Sequence, residues 1–323
     1  MKTKSAAVPA AVSAKAASPL KKKDSIAKRF WKTRFLFVLW LPALVYYIMF
    51  HYIPMYGISI AFFDYNAFTG WEGATWRGLY HFEVFFNSPD FWKLTRNTLV
   101  LGLQNLFYGF PITILFALLL NEIRNMKFKK VVQTVSYMPH FLSVVVVCGL
   151  FTSILDPISG AVNVVIKAFG GEAIKFTTEK EWYRPIYLIS GLWQELGWGT
   201  IIYLAAISGV DPALYEAARL DGAGRWRQMW SITIPSIAPT VCTMLILRVG
   251  GIMGSSLEKA LLLGNGPNSE YSEVLVTYVF NKGLGETNFS FSTAVSLWTQ
   301  AINLILLLSA NFISKKIADS SIF

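Results

Sequence analysis

The sequence predicts an all-α integral membrane protein with six transmembrane helices and both termini in the cytoplasm. Three observations carry that prediction. Of the 323 residues, 54% are hydrophobic and 15% charged, whereas a soluble domain carries about a quarter charged residues. Six apolar stretches reach the ~20 residues that a helix needs to cross a bilayer. Finally, Lys and Arg crowd onto alternate connecting segments, nineteen against eight, and such an excess marks the cytoplasmic side.

Residues 1–34 form a basic tail that holds ten Lys and Arg and is rich in Ala and Ser, a composition expected to lack structure. It is no signal peptide, because the apolar run after Arg34 is far longer than a signal h-region. Beside a membrane span, this charge points to the cytoplasmic face rather than to a nucleic-acid partner. The membrane domain follows over 35–323, with spans at 35–63, 97–121, 131–155, 185–210, 236–263 and 291–313. Pro42, Pro54 and Pro111 interrupt the first two, which a membrane helix tolerates where neighbours satisfy the freed backbone groups. Between spans one and two lie Trp71, Trp76, Tyr80, Phe82, Phe85, Phe86, Phe91 and Trp92. An interfacial aromatic belt is the favoured reading, ahead of a docking or sugar-stacking surface.

Several chemistries are excluded. There is no G-x-x-x-x-G-K-[ST] phosphate loop, and no Ser/His/Asp or paired-carboxylate set in a water-accessible segment. Cys148 and Cys242 both fall inside apolar runs and read as inert buried thiols. His51, His81 and His140 are too isolated for a metal site. The sequence argues against an enzyme.

The loop at 211–235 is the most informative segment. Asp211-Pro212 supplies a helix cap and a first-turn proline. Ala213, Leu214, Tyr215, Ala217, Ala218 and Leu220 offer a compact apolar surface, and the small alanines permit close approach to a partner. Gly222 and Gly224 can end the helix and turn the chain. Residues Arg225, Trp226, Arg227, Met229 and Trp230 suit a second short amphipathic helix, after which Pro235 opens the next span. A plain interfacial hairpin is the alternative.

The full spacing goes further than a hairpin requires. Glu216-Ala217-Ala218, then Asp221-Gly222-Ala223-Gly224, then Ile232 and Ile234-Pro235 resemble the EAA loop of permeases from binding-protein-dependent ABC importers. The family pattern has Leu before the final Pro, where Ile234 stands here. The resemblance continues through Asn97-Thr98-Leu99, Met138-Pro139-His140-Phe141 and Ser290-Phe291-Ser292-Thr293-Ala294-Val295, and it covers about residues 30–323. It is strongest toward the carbohydrate branch that imports oligosaccharides and polysaccharide fragments, such as alginate. The resemblance implies the type I importer permease fold in a bacterial inner membrane. It implies an ABC ATPase dimer, a second, non-identical permease chain and a soluble solute-binding protein as partners, in addition to the lipid bilayer. ATP and Mg would sit on the ATPase partner, with no cofactor on this chain. Glu216, Ala217, Ala218, Asp221, Gly222, Ala223 and Gly224 would seat in the ATPase groove and couple hydrolysis to transport.

Polar residues inside spans are costly and default to function. Three clusters stand out: Gln104, Asn105 and Tyr108; Trp193, Gln194, Glu195 and Trp198; and Arg248 through Lys259 with its glycines. In sugar permeases, solute contacts come from the fourth span about five turns before the EAA glutamate and from the middle of the fifth. Those stretches fall on Gln194, Glu195 and Trp198, and on Arg248, Gly251, Ile252 and Ser255. Residues 194 and 198 share one helix face, and an indole beside amide and carboxylate groups suits a sugar. Arg248 needs a partner. The alternatives are an ion pair with Glu195 or with the second permease, a sugar carboxylate held by the guanidinium fork, and a water-filled gate. The carboxylate reading leads to an acidic substrate of the uronate type. Neutral sugars or peptides remain alternatives, as does a membrane scaffold or sensor that transports nothing.

Overall fold

A computed structural model describes residues 26–318; the part of the basic tail before Ile26 lies outside them. The chain divides into two compact units, one reaching to Gly57 and one running Ile58–Phe323. The first holds α1 (Ile26–Tyr47), a wide π turn at Ile48–Tyr52 and the start of a tight 3-10 stretch, Ile53–Phe62. Thr33–Phe62 is long and apolar enough to cross a membrane. The helix starts at Ile26, within the segment assigned from sequence to the tail.

The second unit opens with a departure from the all-α expectation. β1 (Phe63–Asn66) and β2 (Gly70–Trp76) pair antiparallel in a small hairpin. Its aromatic side chains hold it: Phe63 meets Trp71 and Trp76 edge-on, and Phe62 stacks on Trp76. The following helix, α2 (Tyr80–Phe86), buries Phe85 completely in the main core with Leu94, Met253, Leu275, Phe291 and Val295. The aromatic segment is therefore partly a folded cap, and Phe85 belongs to the core rather than to an interfacial belt.

The second span is a continuous run, Phe91–Glu122, built from α3 (Phe91–Gln104), a π turn at Asn105–Gly109 and α4 (Phe110–Glu122). Its Asn-Thr opening has a structural use. The buried Asn97 donates to the Glu270 and Glu273 carbonyls (2.8 and 2.9 Å) and accepts from Arg184. Thr98 accepts the Leu275 N–H.

The expected third span, 131–155, is broken. α5 (Met126–Tyr137) ends in a 3-10 turn at Met138–Phe141, and α6 (Val144–Ile154) leaves with a bend of 102° between the two arms. Pro139 cannot continue the hydrogen-bond ladder, and Ser143 starts α6 by accepting the Val146 N–H. After α7 (Ala161–Ala168), α8 (Lys180–Ser208) forms the fourth span, separated by a 71° bend from α9 (Pro212–Leu220).

The fifth span differs from its expected bounds at both ends. α10 (Arg225–Gln228), a π turn at Met229–Thr233 and α11 (Ile234–Gly250) form one run, Arg225–Gly250. The separate amphipathic helix predicted before Pro235 is thus the start of the span, and the span ends at Gly250 rather than at residue 263. Then come α12 (Leu257–Leu263), α13 (Ser269–Ser272), α14 (Leu275–Phe280), a π turn at Asn281–Gly285 and the long α15 (Phe289–Ala318), which carries the last span. Among the described residues four helical runs are long and apolar enough to cross a membrane, and six if each bent pair is one span.

Three of the prolines in helical runs follow π turns, whereas Pro42, Pro185 and Pro239 sit inside helices without one. Ile48–Tyr52, Asn105–Gly109 and Met229–Thr233 each end two residues before a proline, Pro54, Pro111 and Pro235. In each, the residue before the proline donates to the carbonyl five positions back. The wider turn moves the backbone away from the pyrrolidine ring, which would otherwise strike the carbonyl four residues back.

Candidate functional site

The end of α11 shapes the first candidate site. The turn after Gly250 is held from two sides. Asn303 of α15 accepts the Met253 N–H at 3.0 Å in a buried bond, and the Ile252 carbonyl lies against Gly102 of α3, where any Cβ would collide with it. The absence of a side chain at 102 is what lets this backbone settle on α3. The pinned turn places Arg248, Gly251, Ile252 and Ser255 on the wall of one cavity of about 180 Å³. Arg248 also lines a neighbouring cavity of about 280 Å³, together with Gln104 and Asn105 of the second span and Gln194 and Glu195 of α8. A third, more open cleft joins Arg248 to Trp198. Arg248 is common to all three. Among the described residues no carboxylate lies within 4.0 Å of its guanidinium.

The α8 cluster has partners that the sequence does not reveal. Glu195 does not pair with Arg248; its Oε2 sits 3.1 Å from Nδ1 of His140. The same imidazole stacks flat on Trp198, with ring centres 4.3 Å apart and planes within 2°. Gln194 donates from Nε2 to the Leu142 carbonyl at 3.0 Å. The cause is the break at Pro139, which lays residues 140–142 against α8 where a straight span would have passed by. Helical spacing correctly places 194, 195 and 198 on neighbouring faces. One indole face of Trp198, however, is covered by His140.

Three residues here lie outside the contact set expected from sequence. His140 has no metal-site spacing, yet Pro139 beside it signals a break that would bring it to a neighbour. Lys259 is subject to the same rule as Arg248, a charge in an apolar run, but is left out of the expected contact set. Tyr187 carries no signal of its own and lines both cavities. Within the larger cavity, Gln104 Oε1 is buried and without a hydrogen-bond partner among the described residues. Such an acceptor is costly unless a donor reaches it.

The loop after α8 is the second candidate site. Asp211 caps α9 by accepting the Ala213 N–H at 2.9 Å, with Pro212 at the first helical position. At the other end the Gly222 N–H reaches the Arg219 carbonyl and the Ala223 N–H the Ala218 carbonyl (3.1 and 2.8 Å). These are the two bonds of a Schellman ending, and Gly222 takes the left-handed conformation it needs, φ +77°. Glu216, Ala217, Asp221, Gly222 and Gly224 are exposed, while Ala218 and Ala223 are half-buried. Leu220, Trp226 and Trp230 present apolar surface. The loop is tied to the spans at three points. Tyr215 and Thr233 share a hydroxyl–hydroxyl bond of 2.9 Å, Gln228 donates to the Ala223 carbonyl, and Arg225 lies 3.7 Å from Glu122 at the end of α4.

Comparison with known proteins places this arrangement among transporters. Residues 109–319 match the family described as the inner membrane component of binding-protein-dependent transport systems. The polygalacturonan/rhamnogalacturonan transport system permease protein YteP of Bacillus subtilis is 46% identical over 323 residues, 100% of both chains. Protein LplB of the same organism is 39% identical over 292 residues, covering 90% of this chain and 92% of LplB. Among solved structures, a chain of a bacterial alginate ABC transporter, in complex with its alginate pentasaccharide-bound periplasmic protein, superposes with a TM-score of 0.84. That chain is 36% identical, and the match covers 92% of this chain and 99% of that one.

Proposed function

From the premise that the chain belongs to the family of inner membrane components of binding-protein-dependent transport systems, we propose that it is the permease of an ATP-driven importer for acidic oligosaccharides. The solute class follows the relatives, one named for polygalacturonan and rhamnogalacturonan and one solved with alginate. One observation in this chain carries the acidic part: Arg248 lines all three cavities with no carboxylate in reach among the described residues. Arg248 is exposed toward these cavities, and a uronate carboxylate could pair with it through two parallel N–H···O bonds. The face of Trp198 that His140 leaves uncovered offers a sugar an apolar surface.

ATP and Mg belong to a partner ATPase dimer in this reading. Glu216 and the exposed turn around Gly222 seat in its groove, on the cytoplasmic side of a bacterial inner membrane. A second, non-identical permease chain completes the pathway, and a soluble binding protein delivers the solute from the other side. This chain binds no nucleotide.

The test is ATP hydrolysis by the complete transporter in liposomes, with its binding protein, across neutral and uronate oligosaccharides. Uronates are expected to stimulate it selectively, and Arg248→Ala to lower that stimulation about tenfold, ~1.4 kcal/mol in the barrier. Stimulation by neutral sugars alone would retain the importer and remove the acidic specificity.

A further inference from the structure

We propose that Lys259, on α12, is a specificity-determining residue that favours a carboxylate-bearing sugar in the cavity it shares with Arg248. The inference rests on the carbohydrate-importer reading and adds to it a second cation, on a different element. Lys259 is 6% exposed. Its backbone is oriented by Ser256, whose hydroxyl accepts the Lys259 N–H and starts α12. The ammonium then crosses to α8, where it donates to the Tyr187 carbonyl at 2.7 Å and sits 4.5 Å from the centre of the Tyr187 ring. Gly191 makes the room: a Cβ there would stand 2.9 Å from Nζ.

What surrounds this ammonium is incomplete for a buried charge. Among the described residues no carboxylate lies within 4.0 Å of it. An ammonium has three donors, and a neutral carbonyl with one aromatic face leaves capacity unused. Buried charges are normally paired. The one carboxylate lining the same cavity, Glu195, is engaged by His140. Two cations therefore line a cavity that holds one carboxylate, Glu195, and neither lies within 4.0 Å of it. An anionic ligand would complete both, whereas a neutral sugar would leave the ammonium as it stands. A purely structural role, fastening α12 to α8, would use the Tyr187 bond alone and would be blind to the charge of the solute.

The experiment separates these. Saturation-transfer NMR, which reads weak binding, would measure trigalacturonate and its carboxyl-reduced counterpart on the complete transporter without binding protein. Wild type is expected to prefer trigalacturonate. Lys259→Met is expected to weaken it about tenfold while leaving the reduced trisaccharide within about twofold; Lys259→Arg should keep most of the preference. Equal losses for both ligands, or no loss for either, would overturn the proposal. If Lys259→Met fails to assemble, Gly191→Ala gives the answer, because its methyl displaces the ammonium: a lowered preference supports the assignment and an unchanged one overturns it. Wild type that binds both ligands equally would overturn the proposal and leave the importer standing. Wild type that binds neither would overturn this proposal, while the carbohydrate reading is decided separately by the hydrolysis assay with the binding protein present.

Discussion

Gly222 is a residue whose identity is set by backbone conformation rather than by space. Its φ of +77° costs an ordinary L-residue about 1–2 kcal/mol, yet a Cβ there would meet nothing within 4 Å. The cost is therefore backbone strain alone, and residues that tolerate the left-handed region should tolerate the site. Gly222→Asn is expected to keep most of the solute uptake, and Gly222→Val to lose most of it, with equal amounts of both in the membrane. Uptake assays beside membrane immunoblots check this; equal uptake by both variants would detach the turn from coupling. His140 shows the opposite kind of residue, one whose role depends on a remote break. His140→Ala removes both the Glu195 bond and the Trp198 stack, and it should free Trp198 as judged by a red-shifted, more quenchable fluorescence in a background where other tryptophans are replaced. No shift would mean that the stack does not hold the indole. The sequence displayed Arg248, Glu195 and Gly222 by simple rules: charges do not sit in spans without reason, and an Asp-Gly after a helix reads as its end. It hid the Glu195 partner, because 55 positions separate it from His140 and nothing local records the bend that joins them.

At the scale of elements, hydropathy found where the chain runs through apolar surroundings but not where helices stop within them. The run 236–263 is apolar throughout, yet its helix ends at Gly250 because Asn303 and Gly102 capture the next turn. Those are tertiary partners on α15 and α3, invisible to a window along one segment. Each Pro two residues past a π turn widens the helix just before it, so Pro111→Ala should let Asn105–Gly109 relax toward an ordinary α turn. That would rotate Gln104 and Asn105 relative to Phe110 and is expected to lower transport more than stability. Turnover against thermal midpoint measures the split; a loss of stability alone would count against it. α13 is tied to the start of α8 by Glu270 and Lys180, 2.5 Å apart. The Lys180 ammonium, first through its hydrogen bond, holds the Glu270 carboxyl below the usual range. A depressed carboxylate stabilises the fold above its unfolded value of about 4.3, and that contribution disappears as pH falls through the folded value. The thermal midpoint of Glu270→Gln should therefore lie below wild type at pH 7, with the two converging in acid below about pH 4. A gap that persists in acid would assign the difference to something other than the charge.

The whole second unit reads as a connection between an exposed loop and a set of polar cavities. Arg225 begins the same helical run that ends at Gly250, so the loop and Arg248 lie on one element. At about 1.5 Å per residue that run covers roughly 35 Å between the two arginines. Glu122 closes the second run, which carries Gln104 and Asn105 into the same cavity. The Arg225–Glu122 contact thus joins two long elements at the loop end and the Tyr215–Thr233 bond ties α9 to one of them, while Arg248, Gln104 and Asn105 line one cavity farther along both. A partner that moves the loop biases both ends of this frame at once, which is what a two-state transporter requires. The ion pair is half-exposed, with 46% and 38% of the two side chains accessible, so it contributes little to stability, about 0–1 kcal/mol. Its value in the proposed mechanism lies in transmitting displacement. Glu122→Gln combined with Tyr215→Phe should leave the thermal midpoint and the substrate affinity near wild type while raising the ATP hydrolysed per sugar imported by severalfold. That ratio, taken from parallel hydrolysis and uptake in the same liposomes, is the quantity to measure. An unchanged ratio would show that the loop reaches the cavity through the continuous Arg225–Gly250 run alone and that both ties are passive.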